Sequence, residues 1–143
     1  MLVVHIVIGL VMMVITIVIH ALFMVGGARV IRWHLSRYGP ARNEMGRVFL
    51  LSGLVDWLFV AIAAEALLWA LFYLFNPLIT TLPDMETAFY FSMVTFTTLG
   101  FGDVVLSGQW RTLASIQAAN GVIIFGWTTA LIFYFIQQIY KRE

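Results

Sequence analysis

Apolar positions fill three long blocks of the chain, separated by two intervals of different character. The first block runs from Leu2 to about Val25 and contains His5 and His20. The second runs from about Val48 to Phe75 and carries Asp56 and Glu65. The third runs from about Trp110 to Tyr140, with Arg111 at its start. Crossing a bilayer as a helix takes about 20 apolar residues, and each block supplies them. The pattern therefore predicts an all-α membrane protein with three transmembrane helices. The first block lacks a leading basic residue and outruns the apolar core of a signal peptide, so we read it as a retained helix.

The interval between the first two blocks is basic. Arg29, Arg32, Arg37, Arg42 and Arg47 are opposed there by Glu44, and Lys141 and Arg142 follow the third block. Basic loops stay in the cytoplasm, which predicts an outer N-terminus and a cytoplasmic C-terminus. Residues 29–47 read either as a helix lying in the headgroup layer, anchored by Trp33 and Tyr38, or as an ordinary basic loop broken at Gly39-Pro40. Asn43 is the expected N-cap of the second helix, with Glu44 in its first turn.

The interval from Phe75 to Trp110 must then begin and end outside. Its first part, "NPLITTLPD", is turn-rich, and Thr81 with Asp84 fits a capping box that leaves Pro83 in a first turn. From Asp84 to about Thr97 the chain reads as a short helix. At about 21 Å it cannot cross, so it is expected to enter the membrane and return. Composition agrees with the membrane class: 62% of the 143 residues are hydrophobic and 10% charged. With no cysteine there is no disulfide framework or thiolate metal site, and no basic surface suggests nucleic acid.

After the short helix comes "TFTTLGFGD", Thr95 to Asp103. Glycines at alternate positions permit positive φ, so successive carbonyls can point to one side. The motif resembles the signature of potassium channels, in which threonines lead into a glycine–aromatic–glycine–aspartate filter. "GVIIFGWTTA", Gly121 to Ala130, is similar to the inner helix of small bacterial potassium channels. The resemblance spans about residues 84–138. It implies a pore domain over residues 48–143 that assembles as a homotetramer, because each chain supplies one strip of the carbonyl ring that replaces a cation's hydration shell. It further implies K+ at the carbonyls of Thr98, Leu99, Gly100 and Phe101, with Gly102 completing the ion-binding strip and Thr95 and Asp103 supporting it. Gly121 would be a hinge, and Val122, Phe125, Thr129 and Phe133 would line the pore. At each of those four positions ordinary helix packing is the competing reading. A bacterial inner membrane is the implied location, with lipid and K+ as partners and no cofactor.

The resemblance has departures. Leu99 and Phe101 stand where the family most often has valine and tyrosine, and Tyr90 and Phe91 stand where tryptophans often support the filter. The block at residues 1–28 is extra to a two-helix channel. It lacks repeated arginines, so it is not expected to sense voltage. The few residues after the third block carry the expectation that no ligand-binding domain follows.

Carboxylates inside membranes need partners. His20 and Asp56 are expected at similar depth from the cytoplasmic side and are the predicted pair, with Glu65 deeper. Each is open to a structural or a gating role. "GFGD" also fits the GxGD motif of intramembrane aspartyl proteases, with Asp56 and Asp103 as the required carboxylates. A less selective cation channel and a non-conducting accessory subunit are also compatible with these residues.

Overall fold

The computed structural model describes residues 2–39 and 44–140. It contains four α-helices: α1 (Leu2–Tyr38), α2 (Glu44–Phe75), α3 (Met85–Phe96) and α4 (Arg111–Tyr140), the last led in by a 3₁₀ turn at Gly108–Trp110. Helices α1, α2 and α4 with its leading turn are long and apolar enough to cross a membrane.

Helix α1 shows which side faces lipid. His5, Gly9, Met12, Thr16 and His20 recur at helical spacing and are buried, whereas Val3, Val7, Leu10, Val14, Val18 and Leu22 are exposed. Between Val3 and Leu22 the polar side chains face the protein and most aliphatic ones face outward. That inversion suits a hydrocarbon surrounding, because lipid tails are as apolar as leucine.

Helix α1 does not end near Val25. It continues through Arg29, Arg32 and Arg37 to Tyr38, so a linker over residues 29–47 is replaced up to that point by helix. Arginine is a good helix former, and Gly26 and Gly27 are tolerated where the helix meets the Trp57 ring. The stop is Gly39, at φ 73°, whose N–H donates to the Leu35 carbonyl at 2.9 Å. A left-handed glycine there closes the helix in the usual way. Pro40, Asn43, Lys141 and Arg142 lie outside the described residues. Helix α2 starts at Glu44, ahead of the apolar block at Val48, with Glu44 in its first turn as the capping signal implied, and Glu44 accepts from Arg47 at 2.8 Å.

The capping of α3 also differs from expectation. Asp84 is itself the N-cap, accepting from the Thr87 N–H at 2.8 Å and the Thr87 hydroxyl at 3.1 Å. Pro83 therefore precedes the cap, and the Thr81 hydroxyl is buried without a partner among the described residues. A carboxylate at the positive end of the helix outcompetes a hydroxyl three residues earlier.

Helix α3 packs against both α2 and α4, and α1 packs against the same two. The main core joins Met12, Trp69, Tyr73, Phe91, Phe96, Leu113 and Ile124. A second cluster, at the other end of the long helices, joins Ala28, Ile31, Leu54, Leu58 and Phe135.

Candidate functional site

The segment after α3 leaves the helix by a tight sequence of backbone hydrogen bonds. Thr97 N–H donates to Met93 O at 2.9 Å and Thr98 N–H to Thr95 O at 3.0 Å. Leu99 and Gly100 then both turn their N–H groups back to Val94 O, at 3.0 and 3.3 Å. The backbone alternates in hand: Thr98 has φ 60°, Gly100 55° and Gly102 82°. Thr98 is the non-glycine residue with positive φ among the described residues. Holding a β-branched residue there costs on the order of 1–3 kcal/mol, and such strain gathers at functional sites. The carbonyls of Thr98, Leu99, Gly100 and Phe101 receive no hydrogen bond among the described residues. Residues 98–103 are all exposed on the single chain.

Two contacts tie this loop to the helices. The Tyr90 hydroxyl on α3 donates to Asp103 at 2.7 Å. That bond holds the Asp103 carboxyl below its ordinary range and pushes the Tyr90 phenol up. At the base of the loop, the Phe96 carbonyl of α3 sits against Gly121 of α4, where a Cβ would overlap it. Thr95 is half-buried and its carbonyl receives the Thr98 N–H.

Behind α3 lies a polar network that sequence reasoning missed. The Gln117 amide of α4 donates to the Ser92 hydroxyl at 2.7 Å and accepts from the Tyr73 hydroxyl of α2 at 2.8 Å. Ser92 in turn donates to the Ala66 carbonyl at 2.6 Å. All three side chains are buried. A second link, from Asn120 to Thr16 at 2.6 Å, joins α4 to α1. The available signal was the presence of Gln117 and Asn120 inside an apolar block, since uncharged polar groups there also need partners.

Helix α4 divides into two faces. Leu113, Gln117, Gly121, Ile124, Thr128 and Phe135 are buried, while Val122, Thr129 and Phe133 lie exposed on another side. Phe125 is half-buried, with its ring centroid 6.2 Å from that of Phe96. Helix α4 is continuous through Gly121.

His20 does not pair with Asp56. Its Nδ1 lies 3.0 Å from Glu65 Oε1, and its Nε2 lies 3.1 Å from Thr128 Oγ1. The reason is the length of α1: with the helix ending at Tyr38, His20 lies about 27 Å from that end rather than one or two turns away. Asp56 is exposed on α2, beside Trp57, whose indole donates to Phe23 O at 2.9 Å. Asp56 and Asp103 are not brought together, because Asp103 bonds Tyr90 and α2 rises about 28 Å from Asp56 to its far end at Phe75.

A family model described as "Ion channel" matches residues 58–138, from Leu58 in α2 through α3 and the alternating loop to Gln138 in α4. No curated protein and no solved structure matches the chain. The match covers more than half of the sequence and includes every element that positions the loop, so the chain belongs to this ion channel family.

Proposed function

We propose that the chain is one subunit of a potassium-selective channel, with four copies surrounding the pore. The observation that carries this reading is the alternation of positive φ at Thr98, Gly100 and Gly102, combined with N–H groups of Leu99 and Gly100 that turn back toward α3. A backbone so arranged leaves a strip of carbonyls for a dehydrated cation, and four strips make the cage. In this reading α3 is a re-entrant pore helix, too short at about 18 Å to cross. Its C-terminal dipole end adds negative potential where the ion is least hydrated.

K+ sits at the carbonyls of Thr98, Leu99, Gly100 and Phe101, and the Tyr90–Asp103 bond braces the loop from α3. The exposed residues Val122, Thr129 and Phe133, together with Phe125, face the pore in the tetramer. Gly121 acts first as the contact that lets α4 approach the base of the filter, and bending at that point is its second role. Basic residues favour the cytoplasmic side, so in this reading the arginine-bearing end of α1 is cytoplasmic and the filter belongs to the outer mouth.

A less selective cation channel is the second reading. It is favoured by Phe101, which has no hydroxyl with which to tie the filter wall to α3. Flux of rubidium and sodium into liposomes holding the purified protein separates the two: strong preference for rubidium supports potassium selectivity, and equal uptake rejects it. No uptake of either ion identifies a non-conducting subunit.

A further inference from the structure

Three polar side chains from three helices meet in the apolar interior: His20 of α1, Glu65 of α2 and Thr128 of α4. The His20 and Glu65 side chains are fully buried at a separation of 3.0 Å. Thr128 Oγ1 lies 3.1 Å from His20 Nε2 and 2.9 Å from the carbonyl of Ile124 on its own helix. Glu65 Oε2 is buried and has no partner among the described residues.

Among the described residues, no other titratable group faces this triad. On α1, His5 and His34 lie about 22 and 21 Å away along the helix. On α2, Asp56 is exposed and Tyr73 bonds Gln117. On α4, Arg111 and Tyr134 are exposed, and on α3, Asp84 and Glu86 are exposed at the N-terminal end.

The Thr128 hydroxyl has a single hydrogen and two acceptors within reach, Ile124 O and His20 Nε2. When it donates to Ile124, Nε2 must carry its own hydrogen, and one further proton is shared between Nδ1 and Oε1. The pair is then neutral overall, whether written as imidazolium–carboxylate or as imidazole–carboxylic acid. A dehydrated interior favours that neutrality. When one proton leaves, Nε2 gives up its hydrogen and Thr128 turns to donate to it. The Nδ1–H then donates to a carboxylate, and the site carries one negative charge.

We propose that His20, Glu65 and Thr128 form a proton-binding site inside each subunit, whose occupancy decides whether Thr128 bonds its own helix or α1. A threonine bonded to the carbonyl four residues earlier bends its helix. Thr128 lies about 10 Å beyond Gly121 along α4, so the proton sets the course of α4 below the filter. This rests on the reading of α4 as the pore-lining helix. The bond between Thr128 and Ile124 is kept while the proton is bound and lost as pH rises through the titration of the site.

The test uses the full chain carrying His5→Gln and His34→Gln, which leaves His20 as the remaining one of three histidines. Imidazole 15N resonances and potassium flux are recorded on the same proteoliposomes as pH is varied. The expected result is a one-proton step in the His20 resonances with the same midpoint as a change in flux. Glu65→Gln, which cannot share the proton, should lose that pH dependence. Thr128→Val should keep the resonance step and lose the flux response, and Thr128→Ser should restore it. Resonances that stay constant while flux changes overturn the proposal, as does a Glu65→Gln protein with the original pH profile. If no cation flux occurs at any pH, the channel reading fails. The resonances alone then decide the proton site, a flat titration overturning it.

Discussion

The carbonyl oxygen of Phe96 occupies the space that a Cβ would fill at Gly121. This contact fixes the end of α3 against α4 at the level where the alternating loop begins. We expect Gly121→Ala to force the two helices apart, because backbone cannot yield as a flexible side chain would. Overpacking of this kind costs about 1–3 kcal/mol. Thermal unfolding in detergent should show the loss, together with reduced flux. Unchanged stability would mean that the Phe96 carbonyl does not sit against Gly121.

Gly100 makes a different case. It has φ 55°, and nothing lies within 4 Å of the point where a Cβ would stand, so crowding is not the issue. Gly100→Ala should act through backbone handedness, at about 1–2 kcal/mol in each subunit. The expected outcome is a folded protein with lost or reduced selectivity, read from the ratio of rubidium to sodium uptake. Selectivity equal to that of the unmodified chain would contradict the carbonyl-strip reading.

The Tyr90–Asp103 bond has a pH signature. The bond lowers the carboxyl's titration, so its stabilising effect is present above the ordinary carboxylate range and is lost as pH falls through the depressed value. Tyr90→Phe removes the donor, and the Asp103 midpoint should move upward toward about 3.9. Carboxyl 13C resonances of labelled aspartate would follow it. A midpoint that does not move would show that the bond is not formed in the membrane.

Gln117 holds Tyr73 and Ser92 at once. Replacing it by Leu leaves both hydroxyls buried with fewer partners, at about 1–3 kcal/mol for each. Adding Tyr73→Phe to Gln117→Leu should recover part of the loss, since one orphaned hydroxyl is removed. Simple additivity of the two changes in unfolding measurements would argue against the coupling.

Much of this architecture was legible because lipid imposes harsh rules. Long apolar blocks, flanking arginines and a turn-rich interval with prolines mark the helices whatever their packing partners. Rotation and register were less legible. On α2 both faces are apolar, so hydrophobic pattern could not tell that Glu65 points inward and Asp56 outward. The arginines of α1 mimic a loop, yet nothing stops the helix before Gly39. That error in one helix end displaced His20 and gave it the wrong partner. At the loop, the glycines announced their positive φ, while Thr98 did not, because no local preference of a β-branched residue foretells it.

The proposed selective conduction of K+ is read from the reversal potential of the purified protein in a bilayer with potassium on one side and sodium on the other. A potassium-selective pore reverses close to the potassium equilibrium potential. A reversal near zero, with current flowing, would contradict it.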